Sequence, residues 1–233
     1  MIEPNGSIVF LGDSFTWGQG LQYYHLMLHH GWTESQCNEL FDRCCDGSFR
    51  FEFLGFEADE YRRKHSYPYI VCKELNKIMV NPIFENGGDN SRIIEFIELL
   101  PHPLFISHNS VDYIVVQFSH PLRQVDISKY KSVNELVLEQ VNKVNELCER
   151  LNKKWFGISW IDETAKIIKE NYPDNHVPIL YKDKEYLSMD ERNHDIKELL
   201  INYDTKINDS HPSKKGHEVM AKSIINKIKL SYE

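Results

Sequence analysis

The sequence predicts an α/β fold, with a parallel sheet covered by helices on both faces. Two observations carry this expectation. Short apolar runs that end in turn residues alternate along the chain with segments of helical periodicity. That alternation implies a buried parallel sheet joined by right-handed crossovers. A third observation sets the scale. The chain has 233 residues, 41% apolar and 27% charged, the make-up of a globular chain that buries a core without disulfides or a structural metal. Residues 1–233 read as one domain.

The elements follow in order. Ser7-Ile8-Val9-Phe10-Leu11 is an apolar run stopped by Gly12, the pattern of a strand buried on both faces. Tyr69 to Leu75 reads as a helix, and Pro68 before it suits a first helical turn. Ile83-Phe84-Glu85-Asn86, stopped by Gly87-Gly88, is a weaker strand. Ser91 to Leu100 has helical spacing and ends at Pro101. Val111 to Phe118 is the strongest strand signal and Trp155 to Trp160 is another. Val133 to Leu151 is the clearest amphipathic helix, with Val137, Val141, Val144, Leu147 and Leu151 on one stripe. A last helix begins near Pro212-Ser213 and carries Val219, Met220, Ile224, Ile225 and Ile228. Residues 19 to 66 break the alternation. They are rich in aromatic residues, His and Cys, and are expected to be an insertion near the carboxyl end of the first strand.

Composition excludes several classes. Lys plus Arg is 27 and Asp plus Glu is 35, a net charge of −8, which argues against binding a nucleic-acid backbone. No apolar run approaches the roughly 20 residues of a membrane span. No signal peptide is read at the N-terminus. The odd number of cysteines, 5, fits reduced thiols, so the expected compartment is the cytoplasm.

Two segments carry chemistry. The first strand runs into Gly12-Asp13-Ser14, a tight exit that presents the Ser14 hydroxyl at the top of the sheet. Near the other end stands Asn208-Asp209-Ser210-His211-Pro212-Ser213, an acid and an imidazole two residues apart before a helix. A serine hydroxyl becomes a good nucleophile only when a base takes its proton, and the base works best when a third group fixes its tautomer.

These segments resemble the SGNH, or GDSL-type, hydrolase family. Gly12-Asp13-Ser14 is similar to the family's nucleophile block, and Asp209-Ser210-His211-Pro212-Ser213 with Gly216-His217 to its acid–histidine block. Asn86-Gly87-Gly88-Asp89-Asn90 resembles its glycine block. The resemblance implies a three-layer α/β/α sandwich, flavodoxin-like, with a parallel sheet of about five strands. It implies Ser14 as nucleophile, His211 as general base, and the backbone N–H groups of Ser14 and of Gly87 or Gly88 as oxyanion donors. No cofactor and no metal are implied.

Two departures from the family pattern stand out. Its third block supplies an Asn to the oxyanion hole, but here the central strand runs into Ser119-His120-Pro121-Leu122-Arg123. Ser119 or His120 is the candidate replacement. The family's acid stands three residues before the histidine, where this chain has Asn208. Asp209 is the expected acid, with Asn208 the alternative orienting residue.

Other candidates are secondary. Trp17, Tyr23 and Arg123 are expected to contact substrate, and residues 19–66 to wall the site. His25 and His29 stand four apart, but no third metal ligand declares itself in the sequence. The expected function is a serine esterase acting on oxygen esters, with a small acyl (acetyl) group on a carbohydrate as the expected substrate. The alternatives are an acyltransferase using the same site, or a non-catalytic carbohydrate-binding or structural module that keeps the fold.

Overall fold

The structure, a computed structural model, describes residues 5–80, 89–102, 110–123 and 125–232. The strand expected at 83–86 and the two glycines Gly87 and Gly88 lie outside them.

Strand β1 (Ser7–Leu11) is buried along its whole length. A short helix α1 (Ser14–Trp17) follows at once. Helices α2 (Leu21–His30), α3 (Glu34–Cys45) and α4 (Phe56–His65) fill the segment expected to be an insertion. Helix α5 (Tyr67–Leu75) leads to β2 (Ile78–Val80). Then come α6 (Asn90–Leu99), β3 (Val111–Phe118), α7 (Val133–Arg150), β4 (Lys154–Ser159) and α8 (Asp162–Asn171). A small antiparallel pair, β5 (Ile179–Tyr181) with β6 (Lys184–Tyr186), precedes α9 (Ile201–Asp204) and the final α10 (Lys214–Leu230).

The sheet is parallel throughout, in the order β2-β1-β3-β4. About five strands were expected, and the described residues hold four in this sheet. Beyond β4 the described residues add a single parallel bridge, between Gly157 and His176. The reason lies in the local sequence: Pro173-Asp174-Asn175 is a turn, so backbone pairing there is confined to Asn175 and Val177 around Gly157.

Alternation along the strands sorts side chains to the two faces. Ile8, Phe10, Val115, Phe156 and Ile158 pack on α5 and α10 through Tyr67, Val71, Met220, Ile224 and Ile228. Val9, Leu11, Ile114, Val116 and Phe118 pack on α6, α7 and α8 through Ile93, Ile97, Val141, Val144 and Ile168. Both faces are therefore covered, which is why the strands read as nearly continuous apolar runs. A third cluster joins Trp17, Tyr23, Leu26, Cys37, Leu40 and Phe51 to Ile201 and Ile207. It ties α2, α3 and Phe51 to the segment that carries Asp209 and His211.

Candidate active site

The carboxyl ends of β1, β3 and β4 meet at one edge of the sheet, the place where open α/β folds gather ligands. Ser14 follows β1, Arg123 lies beyond β3, and Trp160 directly follows β4. The turn after β1 is built by Asp13. Its Oδ1 accepts from the Phe15 N–H at 3.0 Å and caps α1. Its Oδ2 accepts from the Ser119 hydroxyl at 2.9 Å and lies 3.7 Å from the Arg123 guanidinium. Burial lifts the Asp13 carboxyl above the usual carboxylate range, against the pull of the Phe15 N–H, Arg123 and Ser119. Gly12 is required by close approach: a Cβ there would stand 1.9 Å from Thr16 Oγ1 and 2.9 Å from Gln117 Oε1. Those two atoms bond to each other, and Gln117 also accepts from the Asp13 N–H.

The imidazole arrives from the other end of the chain. The segment before α10 is pinned by Ile201 N–H donating to His211 O and Asn202 N–H donating to Asp209 O, at 2.9 and 3.0 Å. Asp209 then folds back in an Asx-type turn, accepting the His211 backbone N–H on Oδ1 at 2.9 Å. The same oxygen lies 2.5 Å from His211 Nδ1. On the other side of the ring, Nε2 lies 2.7 Å from Ser14 Oγ. The Asp-x-His spacing thus suffices, because one carboxylate oxygen serves both the backbone and the ring. Asn208 is exposed, and its N–H donates to Asn38 Oδ1 at 2.7 Å.

Electrostatics favour the ion pair. Burial alone would push the Asp209 carboxyl up, but the His211 charge and the donors around it hold it below its ordinary value. Burial alone would push His211 down, and the Asp209 carboxylate overrides this and leaves the imidazole above the usual histidine value. His217 behaves in the opposite way. It is fully buried, stacks on Tyr67 and accepts the Tyr67 N–H on Nδ1 at 3.2 Å. Desolvation holds it down at about 3, so it stays neutral.

A cavity of about 280 Å³ opens over Ser14 and His211. Phe15, Gln19, Arg123 and Trp160 form part of its wall, and Met189, Glu191 and Ser210 complete it. Phe15 stacks on Trp160 at 5.0 Å and lies 4.9 Å from the His211 ring.

Several sequence-based expectations need correction. Trp17 and Tyr23 do not line this cavity. Trp17 is buried in the third cluster beneath the Arg62 guanidinium, 4.2 Å from its ring centre. Tyr23 is fully buried and donates its hydroxyl to Asp209 Oδ2 at 3.2 Å. Both rings are too well packed to meet a substrate. Of residues 19–66 only Gln19 reaches the cavity, so this segment braces the acid from behind. Ser119 does not offer its hydroxyl to the pocket, since Asp13 takes it, and its N–H donates to Asn90 Oδ1 at 2.8 Å. His120 is exposed and lines a neighbouring hollow. Arg123 does line the cavity.

Gln19 and Trp160 at the cavity and the Tyr23 hydroxyl bond to Asp209 go beyond the sequence-based expectations. Trp160 carried a usable signal, its place one residue beyond a buried strand. The Tyr23 bond spans 186 residues and had none. In comparisons with known proteins, no family model matches this sequence and no curated protein matches it.

Proposed function

We propose that this chain is a serine esterase of the SGNH or GDSL type that removes a small acyl group from an oxygen ester. The observation that supports it is the unbroken line from Asp209 Oδ1 through His211 to Ser14 Oγ, with separations of 2.5 and 2.7 Å. In this reading Ser14 attacks the ester carbonyl as His211 Nε2 takes its proton. Asp209 holds the Nε2 lone pair toward Ser14 and stabilises the imidazolium. The protonated ring then gives its proton to the leaving alcohol. Water, activated by the same ring, releases the acid from Ser14. The Ser14 N–H is the assigned oxyanion donor among the described residues, and loss of one such donor typically lowers turnover about 100 to 1,000-fold.

The size of the cavity supports a small acyl group, since about 280 Å³ lies just below the roughly 300–1,000 Å³ of ordinary ligand sites. A second hollow of about 500 Å³ shares Trp160 and Glu191 with it and carries Thr164, Glu163 and Arg192. Leu122, Val133, Val137 and Ile161 also line it, and an aromatic ring with both apolar and polar neighbours suits the faces and hydroxyls on the sugar side of an acylated carbohydrate.

Labelling with a fluorophosphonate tests the reading. An activated serine reacts covalently, and the label maps to Ser14 in the wild type and is lost in Ser14→Ala. An unlabelled wild-type protein would refute the esterase and leave the binding-module alternative. Release of acetate from an acetylated oligosaccharide then tests the substrate class.

A further inference from the structure

The sequence singled out His25 and His29 as a helical pair without a third metal ligand. The fold supplies a different set. His25 is nine-tenths buried on α2, and its Nε2 faces the Nε2 of His30 at 3.3 Å. Glu57, from the first turn of α4, brings a carboxylate oxygen to the same point, with the three donor atoms all within 4.8 Å of one another. His30 and Glu57 are exposed, so an ion can enter from solvent.

The spacing is informative. Zinc–nitrogen bonds of about 2.0–2.1 Å at a tetrahedral centre place two nitrogens about 3.3–3.4 Å apart. The two imidazoles already stand at that separation. With both Nε2 lone pairs turned inward, the ring protons move to Nδ1. Two imidazoles and one carboxylate also suit zinc and its first-row neighbours rather than calcium or magnesium. The alternative for the pair is a shared proton between two neutral rings, which would need no carboxylate beside it.

We propose that His25, His30 and Glu57 form a zinc-class divalent metal site that clamps α2 to α4, with a fourth position open to water. The two helices already pack together. The ion would fix α2 two residues beyond Tyr23, whose hydroxyl holds Asp209. The site is built from side chains outside the cavity over Ser14, so it stands or falls independently of the esterase reading.

The experiment is zinc titration of the chelator-treated protein by calorimetry, with the thermal midpoint read in parallel. The expected result is one ion per chain and a midpoint that rises with zinc concentration, because a ligand of the folded state stabilises it. His30→Ala and Glu57→Gln should each weaken binding by at least about tenfold, the lower bound seen even for residues that only support a metal ligand. Both side chains are exposed, so neither change opens a cavity, and the circular-dichroism spectrum checks that each variant folds. His29→Ala, on the same helix but outside the donor set, should bind zinc within about threefold of the wild type. Cobalt in place of zinc should show the intense visible absorption of a tetrahedral centre. The absence of stoichiometric zinc binding would overturn the proposal. So would either variant binding zinc within tenfold of the wild type, since the ion would then sit elsewhere.

Discussion

Replacing Asp209 by Asn removes a charge while preserving shape, and the structure says how the amide would sit. The His211 backbone N–H needs an acceptor at the Oδ1 position, where it now donates at 2.9 Å. The amide oxygen therefore stays there and continues to accept from Nδ1–H. The amide nitrogen falls at the Oδ2 position, beside the Tyr23 hydroxyl at 3.2 Å, whose oxygen can accept. The tautomer that lets Nε2 act as base is retained, and the loss is electrostatic. A unit charge about 4 Å from the imidazolium, at an effective dielectric of about 20, is worth about 4 kcal/mol. That converts to a fall in kcat of about 1,000-fold at 1.36 kcal/mol per decade. It lies below the roughly 10,000-fold loss found when such a substitution inverts the tautomer. The pH profile gives a second readout. In the proposed esterase His211 works as a base only when neutral, so activity should rise with pH through its folded value, which Asp209 holds above the ordinary one. In Asp209→Asn that limb must move to lower pH. The assay is hydrolysis of a short activated ester from pH 5 to 9, with Asn208→Ala as comparison at a loss of under about tenfold, or roughly 1.4 kcal/mol. A loss below tenfold in Asp209→Asn, or an acid limb that stays in place, would refute the reasoning.

Other expectations follow from the same geometry. Ser14→Ala should abolish ester hydrolysis without changing the thermal midpoint by more than about 0.5 kcal/mol equivalent, since it removes one oxygen at the wall of a cavity. Tyr23→Phe deletes a donor to a buried carboxylate and should lower kcat by about tenfold, from the roughly 1.5 kcal/mol lower bound of a charge-assisted bond. KM should stay within about twofold, because Tyr23 is outside the cavity. His217→Gln tests a stability effect. His217 is held neutral down to about 3 against 6.5 for a free histidine, so the unfolded chain binds the extra proton and stability is lost as pH falls through that window. The Gln variant, which keeps an acceptor for the Tyr67 N–H, should show a smaller drop in urea midpoint between pH 7 and pH 4.

How far the sequence could be read depended on where the information lay. Strands β1, β3 and β4 are buried on both faces, so their apolar runs stood out against polar flanks. Helices α6, α7 and α10 each cover one sheet face, and their stripes were legible to within a residue or two. Strand β2 was passed over because it is three residues long at the sheet edge, with Ile78 exposed. The fifth strand position escaped for a related reason, since pairing there is a single bridge at His176. Ser14, Asp209 and His211, which the fold brings together, stand out in the sequence because each lies in a short local motif. The bracing of Asp209 by Tyr23, and the hold of Asp13 on Ser119, join residues 186 and 106 apart. Those pairings arise from the packing of whole elements and leave no local pattern.

The separation of Ser14 from His211 also has a temporal side. The two are 197 residues apart in the chain. At translation rates of about 5–20 residues per second, Ser14 precedes His211 by roughly 10–40 s. β1 is made before that interval, and β2, β3 and β4 within it, while the Asp209–His211 segment comes only at its end. Long-range contacts of this kind form late, since closing the loop must come before the contact rewards it. If Ser14 is the proposed nucleophile, its hydroxyl in a nascent chain is thus an ordinary alcohol until that segment docks. Covalent labelling of Ser14 on stalled ribosomes would then serve as a clock for the docking of the last helix.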